Sequence, residues 1–535
     1  MSTATATEER NSWIPMIAIA LGQAIMSFNV ASLPVAMGGM VESFGTPPTT
    51  VATGIVVYSM IVSGFVMLGA KLVQRFGALR VFRIAVLFFG GGQVLMTISP
   101  TATAMITAQA IVGAAAAVIV PSLVALIAEN YRGAQQATAL GALGSARAGA
   151  GVLAFLIGGV LGTYIGWRPV FGLLVAVAAV VFALSFRLKP DHGRPEVRID
   201  GVGVVLAASA IILISFGFNN LNAWGLFFAR PAAPFNLMGI SAAPVMILVG
   251  VVLGQAFFSW TRRREERRQT PLLALAVIDS PQERAAVYAM FAVVALEACL
   301  NFSVPLYIQI VQGRTPLATS VAMLPFNLTV FFTALLVVRF YDRFAPRQIG
   351  RFGFILCTAG LLWLSFVVRN DWSSVPVMLG LIVFGIGQGA LVTLLFNVLV
   401  TASPKELAGD VGSLRGTTNN LAAAVGTAVA GALLVGMLST MVVRNLASNP
   451  ILTPELQSQV QLDSINFVSN DRLESALAQT DATPEQKAEA LQVNTDARLR
   501  ALKLGLLLMA GLALLSIVPA GWLPAYKPGE VPDPR

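Results

Sequence analysis

The chain has 535 residues, of which 56% are hydrophobic and only 11% charged, with a formal net charge of +9 and a mean hydropathy of +0.77. A soluble domain carries about 25% charged residues, so this composition excludes an ordinary water-soluble enzyme and points to lipid as the main solvent. The positive charge is not a nucleic-acid footprint, because it is confined to alternate loops between apolar segments.

Those segments are each long enough to cross a bilayer as a helix, the spanning form in which the backbone satisfies its own hydrogen bonds. About fourteen can be counted, near 13–37, 51–72, 79–98, 102–127, 138–164, 168–187, 201–221, 237–260, 284–310, 318–340, 352–369, 374–401, 411–441 and 501–525. The expected fold is an all-α polytopic membrane protein, two six-helix bundles with an inserted helix pair. Residues 1–12 form a polar lead, 13–188 the first bundle, 189–282 the linker loops and inserted pair, 283–525 the second bundle, and 526–535 a tail. The lead has no cleavable signal pattern, so the first span is expected to be retained.

Basic residues gather in every second loop: Lys71, Arg75 and Arg80; Arg187, Lys189, Arg194 and Arg198; the Arg262–Arg268 cluster; Arg339, Arg343, Arg347 and Arg351. The intervening short loops carry about one each, Arg168, Arg230, Arg314 and Arg369. By the positive-inside rule both termini are expected in the cytoplasm and the protein in the inner (plasma) membrane. A short echo, Lys71–Gly77 after span two and Arg339–Ala345 after span ten, supports duplication of a bundle.

In chain order, the first span offers uncharged Gln23 and Asn29, and the fourth offers Gln109. Span five is rich in glycine (Gly141, Gly144, Gly149, Gly151, Gly158, Gly159), which permits close, sliding helix contacts; simple tight packing is the alternative. It also carries Arg147, roughly 13 Å into the span at 1.5 Å per residue. An arginine at that depth needs an anion: Glu297, a lipid phosphate or an anionic substrate. Span nine carries Glu297 among Leu296, Ala298, Cys299 and Leu300. A carboxyl group so placed is expected to bind a coupling proton or a cationic substrate, with Asn301 one turn on as its hydrogen-bond partner; the alternative is a glutamate that staples two helices. Gln309, Gln388, Asn397, Asn419 and Asn420 add polar groups, and Arg415, a turn into span thirteen near Asp410 and Glu406, is expected to snorkel to the interface.

The long polar stretch 444–498 contains Thr483-Pro484-Glu485-Gln486, a capping box with proline at the first helical position. One or more short amphipathic helices are expected there, as a solvated lid or as a substrate gate. Cys299 and Cys357 are the only cysteines and His192 the only histidine. That leaves no disulfide framework, metal-ligand spacing, histidine relay or Ser/His/Asp nucleophile. Gly90-Gly91-Gly92 and Gly385–Gly389 lack the lysine and hydroxyl of a nucleotide loop. No cofactor and no enzymatic activity are expected.

Several residues, taken in order, resemble the major facilitator superfamily, in particular its fourteen-span drug:proton antiporter branch. They are the 71–81 loop, Trp167-Arg168 with Phe171, Asp200-Gly201, Asn222–Gly225, Pro305–Gln309, Pro325, Gly385–Gly389 and Ala408–Asp410. The resemblance implies two bundles around a central cavity, rocking between inward- and outward-open states. It also implies a conformational-switch loop at Lys71, Gln74, Arg75, Gly77 and Arg80, gating glycines at Gly151, Gly158 and Gly159, and a cavity lined by Gln109, Asn301 and Gln388. Four departures stand out. Gln74 occupies the place of the family's aspartate, and Gln109 that of an arginine. Ala154-Phe155 replaces Gly-Pro before Gly158-Gly159, and the first span has no acid. Proton coupling is therefore not written in its usual motifs.

The expected function is export of amphipathic organic compounds or drugs by proton antiport. The alternatives are transport of an anionic amphiphile or lipid, with Arg147 at the headgroup, and a non-transporting receptor or scaffold. The expected partners are a small organic substrate, protons, membrane lipid and a periplasmic adaptor, with no nucleic acid, and the chain is expected to be a monomer.

Overall fold

The structure is a computed structural model describing residues 12–131, 133–231, 233–341, 343–369, 371–372, 374–402, 407–447, 470–478 and 483–525. The first six long helices are α1 (Ile14–Phe44), α2 (Pro48–Phe76), α3 (Ala78–Ile98), α4 (Ala102–Asn130), α5 (Gly133–Tyr164) and α6 (Arg168–Leu184). Then come α7 (Gly201–Trp224), a short hairpin of β1 (Asn236–Leu237) and β2 (Ile240–Ser241), and α8 (Ala242–Glu266). The second group is α9 (Pro281–Leu306), α10 (Pro316–Leu336), α11 (Pro346–Val367), α12 (Val375–Ala402) and α13 (Ala408–Ala447). It closes with α14 (Asn470–Ala478), α15 (Pro484–Leu515) and α16 (Ile517–Ala520).

Local chemistry sets the boundaries. Proline stands in the first turn of α2, α9, α10, α11 and α15, where its missing N–H costs nothing. Side-chain caps from Thr101, Asp200 and Ser241 satisfy free amides at three other starts, and Thr315 does so at α10 as well. Ser280 with Glu283, and Thr483 with Gln486, form full capping boxes. The tight α2–α3 turn needs the left-handed backbone of Gly77, φ +89°.

Among the described residues, thirteen helices are long and apolar enough to cross a membrane, and α13, at 40 residues, supplies a fourteenth by length. This is a multi-pass membrane protein. The last span differs from the expectation. One short helix of the kind expected in the polar stretch is present, α14, but the helix capped at Thr483 is not separate from the span: it runs unbroken for 32 residues from Pro484 to Leu515, because Leu491, Ala497 and Leu499 prolong the apolar periodicity without a breaker. Arg498 on this extension is 2% exposed and its guanidinium donates to the Val311 carbonyl at 3.5 Å. Asp342 of the second basic turn, Glu406, and 448–469 of the polar stretch lie outside the described residues.

Helices α1 to α6 pack on one another, as do α9 to α13 with α15. The two groups meet along α2 with α13, α5 with α10, and α1 with α9; α7 leans on both α2 and α13, and α8 packs on α7. Leu248, Val252 and Phe258 on α8 are exposed, as an outermost helix in lipid requires. Glycines allow the closest approaches within each group. A Cβ added at Gly69 on α2 would collide with the Ala117 carbonyl oxygen on α4. Replacing Gly69 by leucine is expected to cost about 1–3 kcal/mol by overpacking and to lower the unfolding midpoint in detergent by several degrees; an unchanged midpoint would show that the α2–α4 contact is soft.

Candidate functional site

The centre of the molecule is built from α2, α5, α9, α12 and α13. Helices α5 and α9 both rise from the end bearing the basic loops, here the basic face. Arg147 and Glu297 stand roughly 21 and 24 Å along them by residue count, so the two charges lie at similar depth. Glu297 is half-buried, and its Oε2 accepts a hydrogen bond from Gln388 Nε2 at 3.1 Å. The same nitrogen donates to the Val293 carbonyl at 2.9 Å, so the amide is fixed by two acceptors on α9. Gln388 is wholly buried on α12, and its Oε1 has no hydrogen-bond partner among the described residues.

Arg147 is exposed on α5. None of the ion pairs between described residues includes Arg147 or Arg415. Arg415 is not at the interface as its position in the chain implied: its guanidinium carbon lies 3.7 Å over the Phe396 ring, a cation–π contact made inside the bundle. The contacts formed are thus two pairs, Glu297 with Gln388 between α9 and α12, and Arg415 with Phe396 between α13 and α12.

Two expected members are placed differently. Asn301 does not bond Glu297; its Oδ1 has no partner, and Gln388 takes that role. The amide from the facing helix arrives already oriented by Val293, whereas Asn301 projects from the same helix as Glu297, parallel to it. Gln109 is 0% exposed and does not join Glu297. Its Oε1 accepts from Asn29 Nδ2 at 3.1 Å, and Gln93 Nε2 donates to Asn29 Oδ1 at 2.8 Å. These three amides form a knot inside the first six helices, where buried polar groups must satisfy one another.

The loop after α2 divides by direction. Lys71 is 5% exposed and pairs with Asp410 of α13 at 3.5 Å. Gln74 lies against Gly409, and its carbonyl accepts from Arg194 N at 2.8 Å. Gly77 faces the Asp191 carboxylate, which accepts from the amides of Ala78 and Leu79 and so caps α3. Arg75 lies over the Phe76 ring, and Arg80 is exposed. An acid thus does serve this loop, but it comes from the linker at Asp191 and from α13 at Asp410, not from position 74. Reversing the pair as Lys71→Asp with Asp410→Lys is expected to restore transport that either single change reduces. Rates equal to the parent in both single variants would remove the pair from the mechanism.

The three span-five glycines have separate surroundings. A Cβ at Gly158 would make ordinary contact with Val35 of α1, one at Gly159 would collide with Ser320 of α10, and one at Gly151 would meet nothing within 4 Å.

The end opposite the basic loops is closed by a device that chain position alone does not rank highly. After Pro305 the backbone of α9 widens into a π-helical turn, Tyr307–Val311, and this carries Gln309 into α1. Its Oε1 accepts from Gly38 N at 2.7 Å and its Nε2 donates to the Pro34 carbonyl at 3.2 Å. Those two backbone groups stand four residues apart, the spacing of a helix's own bond, so the amide is inserted into the ladder of α1. The sequence signal was available in part: Pro34 and Gly38 are both weak points of a helix. Beside it, Leu317 N donates to Thr163 Oγ1 at 3.0 Å and Ser320 Oγ donates to the Phe155 carbonyl.

Comparison with known proteins gives consistent results. The sequence profile of the Major Facilitator Superfamily matches residues 19–427. The chain is similar to the multidrug efflux pump LfrA of Mycolicibacterium smegmatis, 25% identical over 447 residues, covering 83% of this chain and 84% of the relative. It is also similar to the tetracenomycin C resistance and export protein of Streptomyces glaucescens, 25% identical over 79% of this chain and 76% of that one. Among solved structures, a bacterial homologue of the human lysosomal transporter Spinster superposes with a TM-score of 0.62 at 12% identity, covering 95% of this chain and 97% of the other; this likeness is one of fold.

Proposed function

The chain belongs to the major facilitator superfamily, and from that premise we propose that it exports amphipathic organic compounds by proton antiport through rocker-switch alternating access. The efflux proteins it is similar to support the direction. The positive-inside rule places the basic face, and with it both termini, in the cytoplasm of an inner membrane.

One observation carries the reading: Glu297, midway along the Pro281–Val311 span, is a carboxylate that accepts a hydrogen bond from Gln388 of α12. An ionisable group at that depth is retained where it meets a solute or a proton. Proton and substrate then use Glu297 in turn, each displacing the other, which is the minimum an antiporter needs. Rocking would break the Gln309 insertion at the outer face while the inner halves close.

A second reading has its own observation. Arg147 and Arg415 lie in spans and take part in none of the ion pairs between described residues, which favours an amphiphile with an anionic head. Proteoliposomes preloaded at one pH and jumped to another separate these. Antiport moves lumenal pH when a cationic or neutral substrate is added. An anionic carrier responds only to the anionic member of a matched series, and a scaffold gives no flux with any of them.

A further inference from the structure

Cations are sparse at the outer end, where the short loops carry about one each, Arg168, Arg230, Arg314 and Arg369. The start of the last span breaks that pattern, with Arg498, Arg500 and Lys503 inside six residues. The charge bias that sets topology runs against them. Lys503 Nζ donates to the Phe366 carbonyl at 3.4 Å, at the outer end of α11, where Trp363 and Phe366 are exposed. Arg498 stands five residues earlier on α15, roughly 7.5 Å further out. That is beyond the apolar end of α11 and so at the level of the outer headgroups.

Arg498 is nonetheless 2% exposed, and none of the ion pairs between described residues includes it. Asp496 is exposed and two positions away, off its face of the helix. The one hydrogen bond of Arg498, from Nη1 to the Val311 carbonyl, is 3.5 Å, longer than a usual N–H···O bond. Its Nε is buried and has no partner among the described residues. Trp372, in the turn between α11 and α12, is 3% exposed, and its Nε1 likewise has no partner among the described residues.

Both side chains abut one turn of backbone, the π-helical Tyr307–Val311. The Trp372 ring lies 6.1 Å from the Tyr307 ring, and Arg498 reaches Val311. Gln312 N donates to the Tyr307 carbonyl at 3.0 Å, the i to i+5 bond of such a turn, so its two ends stand one above the other. Guanidinium and indole nitrogens only donate. A group that satisfies both is therefore an acceptor, and the buried charge requires an anion.

We propose that Arg498 and Trp372 form a phosphate-binding site at the outer end of the molecule, between α15, the α11–α12 turn and the π turn that follows α9. A phosphate group offers two oxygens to the guanidinium edge, the bidentate geometry that arginine favours, and a third to the indole N–H. The group is supplied by a lipid headgroup of the outer leaflet or by free phosphate, with the same chemistry. Exposed Arg500 and Lys503 add attraction from outside. The site is apart from Glu297 and does not depend on transport.

The test follows the unfolding midpoint of the full chain, delipidated in dodecyl maltoside at fixed ionic strength. It is titrated with dihexanoyl phosphatidylglycerol, sodium phosphate or, as the phosphate-free control, dihexanoylglycerol. The midpoint is expected to rise saturably with at least one phosphate compound and not with the control. A rise with the phospholipid alone assigns the site to a headgroup, and a rise with sodium phosphate assigns it to the free anion. Arg498→Lys, which keeps the charge and loses the fork, and Trp372→Phe, which keeps the ring and loses the N–H, should each raise the half-saturating concentration on the order of tenfold, as loss of one charge-assisted hydrogen bond would. Arg262→Gln, 78% exposed at the basic end, should leave it unchanged. No rise in the parent with either phosphate compound, or a rise matched by the control, would overturn the site. So would half-saturating concentrations equal to the parent in both site variants, even with lowered midpoints, since Arg498 would then serve only the carbonyl end of α9.

Discussion

Glu297→Gln is expected to abolish substrate accumulation driven by a pH gradient while leaving substrate-for-substrate exchange in place. The glutamine amide oxygen can still accept from Gln388 Nε2, which now bonds Glu297 at 3.1 Å and Val293 at 2.9 Å, so the α9–α12 contact survives. What is lost is the exchangeable proton and, with it, the link between proton flux and substrate flux. Concentrative transport should fall at least tenfold, corresponding to about 1.4 kcal/mol of lost coupling. Glu297→Asp keeps the chemistry and moves the carboxylate by one methylene, so coupling should persist at a lower rate. Gradients of substrate in Glu297→Gln vesicles equal to the parent across pH would remove Glu297 from coupling and leave it as a helix staple.

Gln309→Ala should shift the resting population toward the outward-open form. The amide bridges Gly38 N at 2.7 Å and Pro34 O at 3.2 Å, and each net hydrogen bond contributes about 1 kcal/mol. Losing both corresponds to about 2 kcal/mol, a population change on the order of thirtyfold. Gly38→Leu acts from the other side, since its Cβ would stand 2.7 Å from Gln309 Oε1 and would expel the amide. Spin labels at Glu42 and Arg314, on the outer ends of the first and ninth spans, should report longer distances in both variants. Unchanged distances would mean that the Thr163 and Ser320 contacts close the outer face without Gln309.

Much of the fold was legible from the chain, because the bilayer imposes a length and a polarity that each segment must meet separately. The fourteen apolar runs, the alternation of basic loops and the proline and capping starts are local properties. One boundary was not legible: the break expected between Thr483 and the last span does not exist, since an amphipathic helix and an apolar helix share the same backbone and nothing between them interrupts it. Arg147 and Glu297 stood out in the chain as ionisable residues within apolar spans, because charge in hydrocarbon is costly wherever it occurs.

What the chain could not give is which groups meet. Asn301 is on the correct face of α9, yet the amide that holds Glu297 comes from Gln388, ninety-one residues away. Gln109 has the polarity of a cavity residue and is instead enclosed with Asn29 and Gln93. Arg415 has the depth of an interfacial residue and instead stacks on Phe396. The missing acid at Gln74 is supplied by Asp191 of a distant linker and Asp410 of the first turn of α13. By itself the sequence determined the number of spans, their basic side and the rare ionisable residues, because these follow from the free energy of placing each residue in lipid. Only the tertiary structure decided the partners and the inserted Gln309. Helix rotation and contact along a seam depend on side chains of two helices at once, and neither helix encodes them alone.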